Sequence, residues 1–143
     1  MSSYKNRLIQ MVNELGNDSK FWGNINDKTS DIGSSNIRSM ANICQNADCY
    51  EEIKLFIRYK IGKCNGWEKE LSNKKVFGEA VLEHLDEIYI STNKNDEEAL
   101  KRIALYFGYL YWKKIAIEKG NELNKTKNQG RGNSSQFKNK GGR

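Results

Sequence analysis

The chain has 143 residues, of which 24 are Lys or Arg and 18 are Asp or Glu, so its formal net charge is +6. This length is enough for one hydrophobic core without disulfides or metal ions, and the complete lack of Pro favours a body made mostly of helices. The three cysteines do not suggest a secreted disulfide framework, and no apolar segment suits a signal peptide or a bilayer span of about 20 residues; we therefore expect a cytoplasmic protein with reduced thiols and no membrane partner.

The N-terminal part of the chain predicts one helix followed by a long loop. Apolar residues recur at helical spacing over residues 4–15, and a Gly–Asn pair then ends the pattern. Residues 17–34 are polar except for the adjacent aromatic residues Phe21 and Trp22. We expect this pair to anchor the loop on the core; a patch that faces a partner is the alternative.

Two helices are predicted in the middle of the chain. The first has Ser34 or Ser35 as its N-cap and ends near residue 46. The second begins with Asp48 and Glu51 as a capping pair and continues to about residue 64. Their expected apolar stripes contain Ile37, Met40, Ala41, Cys44, Tyr50, Ile53, Ile57, Ile61 and Cys64.

Two more helices are predicted over residues 75–90 and 95–120. The last one starts with Asn95 and Glu98 as a capping box, and Lys119 with Gly120 is expected to end it. Because apolar residues cover most of its circumference, it should lie at the centre of a bundle or at a subunit contact. Five helices without an alternating strand pattern predict a compact all-α bundle over residues 1–120.

The net charge is concentrated at the C-terminal end. Residues 124–143 contain six basic residues and no acidic one, so the rest of the chain is neutral overall. This segment is rich in Gly, Asn, Ser and Gln, which predicts a disordered basic tail over residues 121–143. A neutral body with a cationic arm indicates a polyanionic partner, with RNA or DNA first; a merely solubilising tail is the alternative.

No pattern in the sequence points to catalysis. His84 is the only histidine, and Cys44, Cys49 and Cys64 lack the paired spacing of a zinc site, so structural roles explain them better. The acidic clusters lie at predicted helix starts, where capping accounts for them. Neither a phosphate-binding loop motif nor a dinucleotide motif is present. We therefore predict a protein that is not an enzyme and needs no metal or cofactor.

Basic residues on the helices and in the tail are the remaining candidates for function. Such side chains hold a phosphate backbone without identifying its bases. A solvated helix face is the alternative for each one, and a neutral body binds RNA strongly only if its charges are sorted onto faces or if more basic partners assist. The candidates are Arg38, Lys54, Arg58, Lys60, Lys63, Lys101, Arg102, Lys125, Lys127 and Arg131.

Three segments together resemble one family, the small subunit of the type III-A CRISPR effector (Csm) complexes. Residues 34–40 resemble its serine-x-isoleucine-arginine helix opening, and residues 57–63 resemble its apolar-x-tyrosine-x-x-glycine-basic segment. Residues 100–112, followed by Lys119 and Gly120, resemble its aromatic-rich terminal helix. The order and spacing agree over roughly residues 30–120, while the linker at 67–75 and the segment after residue 120 depart from the family.

The resemblance implies a compact helical bundle without catalytic activity. Such subunits are present in several stacked copies, bridge the backbone and large subunits, and help to hold the duplex of guide RNA and target RNA. Arg38 and the Arg58, Lys60, Lys63 segment match basic positions of the family. The alternatives are a standalone helical nucleic-acid-binding protein, such as a phage or plasmid regulator, and, less favoured, a small enzyme. An assembly subunit should expose Tyr106, Tyr109 or Trp112 as an apolar patch, whereas a regulator should carry a recognition helix, and none is evident.

Overall fold

The computed structural model describes residues 3–22 and 32–132, with the side chains of residues 4–22 and 32–120. Apart from an isolated bridge between Glu70 and Val76, the described residues contain helices and connecting segments and no strand, so the predicted all-α fold is confirmed. The helices are α1 (Ser3–Gly16), α2 (Ser19–Trp22), α3 (Ser34–Asn46), α4 (Tyr50–Gly62), α5 (Phe77–Ser91) and α6 (Asp96–Gly132).

The first part of α6 forms the axis of the bundle. Its residues Ile103, Tyr106, Phe107 and Leu110 are fully buried, as expected for a helix with apolar residues on several faces. The α1 helix runs parallel to α6, because Arg102 lies over the ring of Tyr4 at one end and Lys113 approaches Gly16 at the other. The helices α3 and α5 pack against the same axis.

The predicted anchoring of the first loop by Phe21 and Trp22 is confirmed. Both side chains are buried, and each packs on Phe77, with ring centroids 5.1 and 5.6 Å apart. Trp67 packs on the other side of Phe77 at 5.3 Å. The short helix α2 places the pair, and the indole nitrogen of Trp22 donates a hydrogen bond to the carbonyl of Leu15 at 2.7 Å. This cluster joins the ends of α1, α2 and α5 at one end of the bundle.

The starts of two helices differ from the predictions by one residue. Gly33, not a serine, is the N-cap of α3, and Ser34 is already helical. Cys49, not Asp48, is the N-cap of α4, where the carboxylate of Glu52 accepts from the Cys49 backbone N–H at 3.3 Å. Several polar residues stand in a row before each helix, so residue type alone does not identify the cap.

The predicted end of the last helix is wrong. The α6 helix continues through Gly120 to Gly132 and has 37 residues, a length of about 55 Å. A single Gly inside a helix costs only about 1 kcal/mol, and about half of the residues from 121 to 132 are good helix formers. The predicted tail thus begins as helical backbone over residues 121–132; residues 133–143 lie outside the described residues.

Candidate nucleic-acid interface

The α4 helix packs on α5 and α6, and near its C-terminal end it also reaches the start of α3 through the hydrogen bond from Lys60 to Asn36. The helices α5 and α3 differ in acid content. The α5 helix contains four carboxylates, of which Glu79 and Asp86 contact cations of α4, while Glu83 contacts Lys75 and Glu87 contacts Arg7. The α3 helix has the sequence SSNIRSMANICQN and contains no Asp or Glu. Cationic side chains of α4 therefore meet different surroundings according to the side on which they lie.

The cations of α4 that face α5 are paired. The ammonium nitrogen of Lys54 lies 3.9 Å from Asp86 and 3.7 Å from Glu51, and the guanidinium of Arg58 lies 3.8 Å from Glu79. These pairs are accessible to solvent and each contributes at most about 1 kcal/mol to stability. Lys54 and Arg58 are thus occupied by contacts within the chain.

Lys60 lies on the side of α4 that faces α3, and its surroundings differ. Its side chain is only 8 % exposed, and its Nζ donates to Asn36 Oδ1 at 3.1 Å; none of the described carboxylates lies within 4.0 Å of it. Burial, together with the charge of the nearby Lys63, lowers the pKa of the Lys60 ammonium. An ammonium carries three donors, so one neutral acceptor leaves Lys60 short of hydrogen-bond partners and of a counterion.

Two further cations without a carboxylate partner lie at the same end of the bundle. Lys63 is exposed at the C-cap of α4, with its Nζ 5.4 Å from the ring centroid of Tyr59. Arg38 is exposed on α3, with its guanidinium carbon 5.5 Å from the ring centroid of Tyr111. No ion pair joins either of these two described side chains to an acidic group.

These cations flank the start of α3. Asn36 and Arg38 are two residues apart, which puts them about 200° apart around the helix; Lys60 therefore approaches one flank of α3 and Arg38 projects from the other. The N-cap residue is Gly33, which has no side chain to cap the first backbone N–H groups of α3. The positive end of the helix dipole adds to the local positive field. We call Asn36, Arg38, Lys60 and Lys63 the basic end; its arrangement suits phosphate groups.

Lys101 and Arg102 do not belong to the basic end. They lie in the first turns of α6, where Glu98 contacts both, at 3.9 and 2.9 Å. Arg102 also stacks over Tyr4, with its guanidinium carbon 4.0 Å from the ring centroid. Both side chains line an open groove of about 920 Å³, in which Asp48, Asp96 and Glu97 balance the basic residues.

The remaining candidates belong to the last turns of α6. The backbone of Lys125, Lys127 and Arg131 is helical, but their side chains lie outside the described residues. Of the seven candidates in the described body, the structure thus assigns Arg38, Lys60 and Lys63 to one end. It pairs the other four, namely Lys54, Arg58, Lys101 and Arg102, with carboxylates.

His84 has two partners within the chain. Its Nε2 lies 2.9 Å from Glu14, and its Nδ1 lies 2.9 Å from the hydroxyl of the buried Tyr106. Because a carboxylate only accepts, Nε2 carries the hydrogen and Nδ1 accepts from Tyr106. These contacts link α1, α5 and α6, which agrees with the predicted structural role of this histidine.

The cysteines have unlike surroundings. Cys44 is buried, which raises the pKa of its thiol to about 12, whereas Cys64 is exposed just beyond α4 instead of lying on its predicted apolar stripe. Cys49 is half-buried at the start of α4. Within the described ranges, no cluster of three His, Cys, Asp or Glu side chains is arranged to hold a metal ion.

Exposed apolar residues lie on α4 and α6. Trp112 is 68 % exposed and stacks beside the half-buried Tyr109, as predicted for a contact surface. Tyr106 does not belong to that patch, because its side chain is fully buried and its hydroxyl contacts His84. Leu55 and Tyr59 on α4 are exposed as well, and sequence reasoning missed them because it followed only the apolar stripe that contains Ile57.

Comparison of the chain with protein-family models, with curated proteins and with solved structures gave no match. The resemblance to the small subunit of the type III-A CRISPR complexes therefore stays a prediction from the motifs in the sequence. In the described part of the chain, no helix combines the length and the apolar character that a membrane span requires.

Proposed function

We propose that the protein is a non-catalytic small subunit of a type III CRISPR effector complex. In this proposal it acts in the cytoplasm, bridges the backbone and large subunits, and packs against further copies of itself. Its basic end helps to hold the guide RNA and target RNA through phosphate contacts that do not depend on base sequence. Cleavage and other chemistry belong to other subunits.

The observation that carries the proposal is the unpaired state of the basic end. Lys60 is 8 % exposed, and within residues 4–22 and 32–120 no carboxylate lies within 4.0 Å of Lys60, Arg38 or Lys63. Burying an ammonium without a counterion is costly, so the arrangement favours a partner that supplies negative charge. A nucleic acid backbone supplies it as a row of phosphates, which suits cations spread over two helices.

The exposed apolar residues support the assembly part of the proposal. Trp112 and Tyr109 adjoin on one side of α6, and Trp112 is more than two-thirds exposed. Exposed aromatic residues that lie together are typical of subunit contacts. The patch lies on α6, and Arg38 of the basic end lies over Tyr111, which precedes Trp112 in the chain, so RNA and a neighbouring subunit would bind side by side in this proposal.

Measuring RNA affinity as a function of salt concentration tests the phosphate contacts. A variant with Arg38→Gln, Lys60→Gln and Lys63→Gln should bind duplex RNA more weakly and with a smaller slope of log affinity against log salt, because each phosphate contact contributes to that slope, by about 0.9 in the case of B-form DNA. The matched control carries Lys54→Gln, Arg58→Gln and Lys101→Gln, which removes the same charge from paired positions. Its slope should stay close to that of the unsubstituted chain.

Equal slopes for the two variants would contradict the proposed site. Preference for one DNA sequence over others would favour the standalone regulator instead. The assembly is tested by purifying the tagged full-length protein from its own host: the proposal expects RNA and larger proteins to copurify, and recovery of the chain alone contradicts it.

A further inference from the structure

An exposed aromatic ring lies beside the lysines of the basic end. Tyr59 is 55 % exposed near the end of α4, and its ring packs against the half-buried Phe56 with centroids 5.7 Å apart. The ammonium of Lys63 lies 5.4 Å from the Tyr59 centroid, and that of Lys60 lies 5.7 Å from the Phe56 centroid. Two rings and two ammonium groups thus lie side by side near the end of α4, with Tyr59 and Lys63 exposed, Phe56 half-buried and Lys60 buried.

The composition of this surface favours one class of ligand. Proteins that bind single-stranded nucleic acid combine cations along the backbone with aromatic rings on which bases stack. A purely apolar protein partner would have to cover Lys60 and Lys63, although α3 contains no acidic residue and no described carboxylate forms an ion pair with either lysine. A nucleotide suits both the aromatic ring and the ammonium groups, because its base offers a π face and its phosphates carry the counter-charge.

We propose that Tyr59 stacks on an unpaired nucleobase while Lys60 and Lys63 bind the adjoining phosphates. This inference rests on the proposed function and specifies the form of RNA that the basic end prefers, namely an unpaired nucleotide. In a regular duplex each base is stacked between its neighbours, so an aromatic side chain cannot reach its face. Lys63 is exposed and flexible, and it leaves the ring for a phosphate when the base arrives.

The test compares full-length variants at Tyr59 on two probes. One probe is a short oligoadenylate that contains 2-aminopurine, whose fluorescence falls on stacking; the other is its duplex with oligouridylate. Tyr59→Ala and Tyr59→Leu should weaken binding of the single strand by about tenfold, while Tyr59→Phe keeps the ring and the affinity. Duplex binding and the salt dependence should not change, because no phosphate contact is lost.

Two results would overturn this inference alone. One is single-strand binding by Tyr59→Leu with unchanged affinity and fluorescence quenching, since Leu keeps apolar area but has no π face. The other is a Tyr59→Ala variant that binds both probes normally. This result overturns the inference also when the variant has lost its association with a protein partner. Failure of the unsubstituted chain to bind either probe overturns the proposed function as well. Thermal unfolding controls for folding, which should be unaffected because Tyr59 is exposed.

Discussion

The two sides of α4 carry similar cations in opposite states. Lys54 and Arg58 contact carboxylates of α5, whereas Lys60 meets a helix without any acidic residue and Lys63 forms no ion pair with a described carboxylate. The difference arises from the composition of the neighbouring helix and not from that of α4. A cation on a neutral domain becomes available for a ligand when the element packed beside it cannot neutralise it.

The α5 helix neutralises α1 in the same way. Arg7 forms a two-pronged contact with Glu87, with nitrogen–oxygen distances of 2.7 and 2.9 Å. This contact raises the pKa of Arg7 and lowers that of Glu87. Arg7 of α1 and Lys54 and Arg58 of α4 are therefore all paired with carboxylates of α5. The contact between α3 and α4 instead pairs Lys60 with the neutral Asn36.

The largest expected effect concerns the packing between α4 and α5. A Cβ added at Gly78 would lie 2.4 Å from the side chain of Ile61 and 3.2 Å from the carbonyl oxygen of Trp67. Gly78→Ala should therefore lower the free energy of unfolding by about 1–3 kcal/mol. Urea denaturation followed by circular dichroism measures this change.

Gly108 provides the matched control for this substitution. It lies inside α6, and a Cβ there would meet nothing within 4 Å. Gly108→Ala should raise the free energy of unfolding by up to about 1 kcal/mol, because Ala favours the helix. A Gly78→Ala variant as stable as Gly108→Ala would show that α4 and α5 do not approach as closely as described.

Periodicity predicted the elements because burial depends on the spacing of apolar residues. Ile37, Met40 and Cys44 are buried on one side of α3 as their spacing requires, and Phe21 with Trp22 fills the core from the loop. The fully buried Tyr106 was misplaced, because a helix with apolar residues on most sides does not reveal which one faces solvent. Helix ends also escaped prediction, since α6 continues past the break signal at Gly120.

The candidate site was predictable only as a set of residue types. All seven candidate cations of the body look alike in sequence, and their separation into paired and unpaired groups depends on which helix lies beside each one. The absence of acid from α3 was visible in the sequence, but the contact between Lys60 and Asn36 joins residues from different helices. Such a contact between separate elements has no local signature in the chain.

A smaller effect is expected from giving α3 the carboxylate that it lacks. Asn36→Asp is nearly isosteric and places a charge at the observed 3.1 Å contact with Lys60 Nζ. It should raise the free energy of unfolding by about 0.5–1 kcal/mol, because it pairs Lys60 and complements the dipole in the first turn of α3. RNA binding should weaken at the same time, because the new carboxylate competes with phosphate for Lys60.

Gln45→Glu is the control for this charge change. Gln45 is exposed in the last turn of α3, so its substitution adds the same charge away from Lys60. Its effect on RNA affinity should be smaller, and the helix dipole gives no stabilisation there. If both variants lose equal RNA affinity, the basic end acts only through the overall charge of the molecule and the contrast between the two sides of α4 loses its functional meaning.

The smallest expected effect is a pH dependence of the free energy of unfolding that arises from His84. Burial lowers the pKa of His84 from its ordinary value of 6.5, although the contact with Glu14 opposes the shift. Between pH 6.5 and the lower pKa of the folded state, the unfolded chain binds a proton that the folded chain does not. The free energy of unfolding should therefore fall as the pH drops below about 6.5. Denaturation midpoints at a series of pH values measure this dependence.

The variant His84→Gln separates this effect from the titration of carboxylates. The pKa of Glu87 is lowered from 4.5 by its contact with Arg7, so the stability that this pair provides is lost only below about pH 4.5. His84→Gln should remove the slope near pH 6 and leave the loss of stability at lower pH. A chain that becomes more stable as the pH falls from 7 to 5 would show that the ion pair of His84 with Glu14 outweighs burial. The contacts of His84 with α1 and α6 would then depend on a charged imidazole.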